Sequence, residues 1–115
     1  MKHELAKEYR DKFNNRDLVG IENLLAPNVI LSDPQQRLVG KSEVVREVKN
    51  IFDANPGLIF ETKNIYISEN PTANVGFTSI LEFRLELEEL TLEGIDVIDW
   101  LDNKIIELRA YVNLP

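Results

Sequence analysis

The sequence predicts an α+β domain in which helices pack on one face of a strongly curved antiparallel sheet. Two observations predict it. Apolar residues recur three or four apart through the first half of the chain, and alternate with polar ones through most of the second. Helices followed by strands in 115 residues point to a single domain, residues 1–115, with one layer of helices covering one layer of sheet.

Leu5, Tyr9 and Phe13 follow at helical spacing with Ala6 beside them, predicting a first amphipathic helix from about Lys2 to Asn14. Asn15 and Asp17 serve as its stop and as the cap of the next helix. That second, shorter helix carries Leu18, Ile21, Leu24 and Leu25 on one side. It ends before Pro27, because proline drives the residue before it out of the helical region. Asn28 to Asp33 sets Val29, Leu31 and Asp33 against Ile30 and Ser32, a short strand that stops at Pro34. Ser42 and Glu43 open a third helix bearing Val44, Val45, Val48, Ile51 and Phe52, closed by the turn Asn55-Pro56-Gly57.

The period then changes to two. Leu58 to Ser68 forms a strand, and Asn70-Pro71-Thr72 a turn. Val75 to about Leu87 follows, with Phe77, Leu81, Phe83, Leu85 and Leu87 on one face and Thr78, Glu82, Arg84 and Glu86 on the other. Leu90 to Trp100 is the next strand, and Asp102-Asn103 turns into the last. That strand places Ile106, Leu108, Ala110 and Val112 on its apolar side. Ile95, Val97, Ile105 and Tyr111 then face outward, enough apolar surface to support a dimer.

Bulk composition removes several function classes. Hydrophobic residues make up 43% and charged ones 29%, which does not fit disorder. A net charge of −7 with no basic cluster argues against nucleic acid or anionic membranes as partners. The absence of cysteine excludes disulfides, thiolate zinc sites and cysteine nucleophiles, and fits a cytoplasmic location. The opening MKHELAKEYRDKF has no apolar signal-peptide core, and no stretch approaches the ~20 apolar residues of a membrane helix. The only histidine, His3, stands at a frayed helix start, which leaves His-based mechanisms without a base. No residues have metal-ligand spacing, and the five glycines form no phosphate loop. Glu86, Glu88 and Glu89 read as a solvated hairpin tip. No metal and no cofactor are expected.

Three polar residues depart from the apolar pattern. Asp96 shares its strand face with Leu92, Ile98 and Trp100, where an ionised carboxylate is costly without a partner or a raised pKa. Tyr9 lies between Leu5 and Phe13 on the inward face of the first helix. Asp33 ends the first strand on the side of Val29 and Leu31. Each also has an ordinary structural explanation: core filling for Tyr9, turn formation for Asp33, a strand edge for Asp96. Together they suggest a polar-ended pocket.

The stretches YRDKFNNRDLVGIENLLAPNVILSDP, LVGKSEVV and GIDVIDWLDNKIIELRAYVN resemble the NTF2-like superfamily, in particular its SnoaL-like and ketosteroid-isomerase-like branch. The resemblance covers most of the chain. It implies a cone of three helices on a bent sheet, an internal pocket and a homodimer through the sheet. It also places the three odd residues on the isomerase's catalytic positions. Asp33 matches the general base, Tyr9 the phenol donating to the enolate oxygen, and Asp96 a second donor, a carboxylic acid kept neutral by an apolar site. Ketosteroid isomerase is itself the standard case of such a donor. The implied pocket is lined by Phe13, Leu31, Phe52, Phe83, Ile98, Trp100, Leu108, Ala110 and Val112. Its ligand is a small apolar molecule containing a carbonyl.

The match has gaps. Leu25 and Val48 stand where further tyrosines buttress the isomerase's phenol, and Val112 replaces an aromatic of the last strand. The scaffold hosts isomerases, cyclases, dehydratases, hydrolases and pure binding domains, so a non-catalytic ligand-binding or dimerisation module is the alternative expectation.

Overall fold

The computed structural model of the chain describes residues 1–69 and 75–113. The elements are α1 (Lys2–Asn14), α2 (Leu18–Leu24), β1 (Leu25–Asp33), β2 (Gln36–Val39), α3 (Lys41–Ala54), β3 (Ile59–Ser68), β4 (Phe77–Glu86), β5 (Thr91–Leu101) and β6 (Lys104–Asn113). Helix α1 turns Ala6, Tyr9 and Phe13 inward, as its spacing requires, and packs on β3 and β4. The Asp17 carboxylate caps α2 by accepting the Gly20 N–H at 2.9 Å. Helix α3 buries Val44, Val48 and Phe52 and lies over β1. The expected turn at Asn70-Pro71-Thr72 lies outside the described residues. No helix among the described residues is long and apolar enough to cross a membrane.

The six strands form one curved, unclosed sheet in the order β2-β1-β6-β5-β4-β3. The architecture is the α+β one that the periodicities predict, with three particulars that they do not contain. First, β1 runs parallel to β6, while the other neighbours are antiparallel. Alternation within a strand carries no information about its neighbour's direction. Second, β1 starts at Leu25, which leaves the α2 stripe and pairs with Ile105, and a further short strand, β2, follows the turn after Asp33. Two apolar residues in Gln-Arg-Leu-Val are too few to show a period.

The third particular is a β-bulge. Asp99 pairs with Glu107 but Trp100 pairs with Ile105, so Ile106 is an extra residue in β6. One extra residue inverts which side chains face inward. Ile105 is therefore fully buried in the core, and Ile106 is not the inward residue that simple alternation predicts.

Strand β4 has a polar residue on its apolar face. Ser79 is fully buried between Phe77 and Leu81, and its hydroxyl accepts the Trp100 indole N–H at 2.9 Å. Trp100 stacks on Phe77, with ring centroids 5.8 Å apart. Ser79→Ala should leave that N–H buried without an acceptor and lower stability by about 1–3 kcal/mol. The check is a urea titration, in which the midpoint should fall with the slope unchanged.

Candidate functional site

A cavity of about 220 Å³ lies between the helices and the sheet. Its buried end is aromatic. Phe13 and Tyr9 come from α1, Phe60 from β3 and Phe83 from β4. These rings touch at 5.1–6.3 Å between centroids, tilted or edge-on, so they fill that end with rigid apolar surface. One wall is built from Leu31, Leu108, Ala110 and Val112, and the other from Val48 and Ile51 of α3. Leu85 and Leu92 extend it towards the β4–β5 hairpin. Asp33, Pro34, Gln35, Gln36 and Glu47 line the opening, where Pro34 and Gln35 are exposed.

Asp96 enters this apolar space from β5. It is 6% exposed and has no hydrogen-bond partner among the described residues. Burial pushes its carboxyl up from 3.8 to about 7. Tyr9 lines the same cavity and is likewise buried. Burial first, and the nearby Asp96 charge second, hold its phenol well above its ordinary range. An acid that titrates near neutrality can donate a proton where an ordinary aspartate could only accept one.

Asp99, three residues along β5, shows the opposite solution. On the other face of the sheet its carboxylate accepts from Arg109 Nη1 at 2.8 Å and from Thr78 Oγ1 at 2.7 Å. The two aspartates differ in their partners, and the difference follows from strand parity.

Asp33 lines the opening, but it also organises the β1–β2 turn. Its Oδ1 accepts the backbone N–H of Gln35 at 2.8 Å and of Gln36 at 3.1 Å. Its Oδ2 accepts from Gln36 Nε2 at 3.0 Å. This is the turn-forming role available to any aspartate before proline, combined with a position on the cavity.

The cavity brings Tyr9, Asp33 and Asp96 together with Phe13, Leu31, Phe83, Leu108, Ala110 and Val112. Phe52, Ile98 and Trp100 do not line it. Phe52 is buried and packs edge-on against Phe13, a residue that does line the cavity, at 5.1 Å. Ile98 and Trp100 are fully buried in the core, where Trp100 packs on Phe77 and Ser79, and neither reaches the cavity. Of the two positions lacking a buttressing tyrosine, Val48 lines the cavity and Leu25 is buried elsewhere.

Glu47 and Gln36 are lining residues that the sequence reading missed. Glu47 was within reach, because it stands three residues after Val44 and four before Ile51 on the inward stripe of α3. Gln36 was not, because its position depends on the β2 hairpin.

Comparison with known proteins agrees with this fold. Curated protein sequences give no match. Among solved structures, a candidate ketosteroid isomerase from Kribbella flavida superposes with a TM-score of 0.81 at 18% identity, covering 96% of this chain and 76% of that one. A candidate polyketide cyclase from Sinorhizobium meliloti gives 0.79 at 13%, covering 93% of each chain. A steroid delta-isomerase from Pseudomonas aeruginosa gives 0.74 at 22%, covering 97% of this chain and 79% of that one. At these identities the likeness establishes the NTF2-like fold alone. The family model for the SnoaL-like domain matches residues 6–108, nearly the whole chain. This protein therefore belongs to the SnoaL-like domain family.

Proposed function

We propose that this protein binds a small apolar molecule through a carbonyl and moves a proton beside that carbonyl without a cofactor. Tyr9 and Asp96 donate to the oxygen as it gains charge, and Asp33 takes and returns the proton. The observation that carries the reading is Asp96, a buried carboxyl without a partner among the described residues, on a cavity it shares with Tyr9. Preorganised donors in a water-poor site stabilise a developing oxyanion far better than water does, typically by 10²–10³-fold in rate per donor. Membership of a family with isomerase- and cyclase-like structural neighbours supports the same class of chemistry.

Substituted phenols test it, because a phenolate mimics the enolate. Affinity should rise with phenol acidity, and Tyr9→Phe should weaken binding about tenfold, the value of one hydrogen bond to a charged oxygen. If no phenol binds by calorimetry, the reading fails.

A second reading, a ligand-binding module without turnover, is favoured by the three hydrogen bonds that already engage Asp33. In that case Asp33→Asn would leave phenol binding unchanged and there would be no isomerisation to lose. We also take the outer face of the sheet, where Tyr66 and Tyr111 are exposed, as the surface for a homodimer.

A further inference from the structure

Among the described residues, the opening of the cavity carries two carboxylates and no countercharge. Asp33 comes from the β1–β2 turn and Glu47 from α3, and the Gln36 amide lies between them. Its Nε2 donates to Asp33 Oδ2 at 3.0 Å and to Glu47 Oε2 at 2.9 Å. Asp33 is further occupied by the two backbone N–H groups of its turn. Glu47 Oε1 has no partner among the described residues. Neither carboxylate has an ion-pair partner among them. No lysine, arginine or histidine of the described residues lines the cavity.

An amide between two carboxylates satisfies hydrogen bonds but neutralises nothing. Two negative charges remain at the mouth of an apolar cavity, whose walls concentrate their field. An entering anion would meet repulsion there, and an ammonium would meet a countercharge. The far end supplies an independent observation. Asp96 is more than nine-tenths buried, lacks a partner among the described residues and lines the same cavity. A ligand that satisfies both ends has a hydrogen-bond acceptor at one and a cation at the other, joined by an apolar body.

We propose that the cavity selects amphiphilic amines, with a carbonyl or phenol oxygen at Tyr9 and Asp96 and an ammonium at the mouth received by Glu47. This rests on the oxyanion-site reading above and adds the charge required at the opposite end. Gln36 is the positioning residue: it holds the two carboxylates in place and leaves Asp33 to the substrate's carbon and Glu47 to its nitrogen.

The test uses phenols whose para chain of one to three carbons ends in an ammonium, a methyl or a carboxylate. Each is titrated by calorimetry at pH 7 into wild type and Glu47→Gln. At the best chain length the ammonium should bind about fivefold more tightly than the methyl compound, and the carboxylate about fivefold more weakly. The spread should narrow as salt is raised. Glu47→Gln should bring the ammonium and methyl compounds to within about twofold of each other, with the methyl compound's own affinity retained. Equal binding of all three end groups to wild type overturns the charge selection, and an ammonium preference that survives Glu47→Gln overturns the assignment of the ammonium to Glu47; both leave the oxyanion site standing. Failure of every phenol to bind, whatever its end group, overturns the site itself.

Discussion

Asp96→Asn should stabilise the fold at pH 8 and leave it almost unchanged at pH 4. The Asp96 carboxyl is raised from 3.8 to about 7 by burial, so the folded protein holds this proton more tightly than the unfolded chain does. Below the unfolded value both states are protonated and the residue costs nothing. As pH rises from about 4 to 7 the unfolded chain releases its proton first, and stability is lost progressively. Above about 7 both states are ionised and the loss is complete. At about 1.4 kcal/mol per pH unit the loss reaches roughly 4 kcal/mol, an upper bound because the cavity opens to water. Denaturant unfolding of wild type and Asp96→Asn across pH 4–8 should therefore show a gap that widens by about 2–4 kcal/mol and then levels off. A gap independent of pH would mean that Asp96 is ionised throughout, and the neutral donor would be lost with it. The same residue links stability to chemistry, since a partner supplied by a ligand would recover part of what burial costs.

Gly94→Ala should be the most damaging conservative change in the sheet. A Cβ at Gly94 would lie 2.2 Å from the Tyr111 carbonyl oxygen and 2.9 Å from the Val112 Cα, both backbone atoms of β6. A flexible side chain could move aside, but a hydrogen-bonded strand cannot. The cost is that of overpacking against an unyielding wall, about 3 kcal/mol or more. Thermal unfolding should show a midpoint lower by about 15 °C. Gly57→Ala is the control, because its nearest neighbour is the Glu88 carboxylate at 3.2 Å, the end of a flexible side chain. It should stay within about 0.5 kcal/mol of wild type. A Gly94→Ala protein as stable as that control would contradict the close approach of β5 and β6. Gly94 is also two residues from Asp96, and Val112 lines the cavity, so the strain would fall on the site as well.

Much of the site was legible because it depends on parity. Strand alternation puts Asp96 on the inward face with Leu92 and Ile98, and helical spacing puts Tyr9 between Leu5 and Phe13. Neither inference needs the rest of the protein. Trp100 shows the limit. Its parity is inward, as expected, yet it packs against Phe77 and Ser79 and does not line the cavity. Facing inward is a local property, whereas facing a cavity depends on what the opposite layer leaves unfilled. Asp33 shows a different limit: its place at the end of β1 and its turn were readable, but its bond to the Gln36 side chain arises from a hairpin the sequence does not announce.

By itself the sequence determined the order of the three helices and of every strand but β2, the inward stripes of the helices and of β4 and β5, the misplaced carboxyl and the acidic balance of the chain. These follow from periods of 3.6 and 2.0, which are set by the backbone within a few residues. The tertiary structure alone decided that β1 runs parallel to β6, that the Ile106 bulge turns Ile105 into the core, and that Gln36 spans Asp33 and Glu47. Each joins segments far apart in the chain or depends on a single-residue register, and local periodicity carries neither. Asp96 was readable as a charge out of place. Whether it was paired or left facing a cavity was decided by the helices across from it.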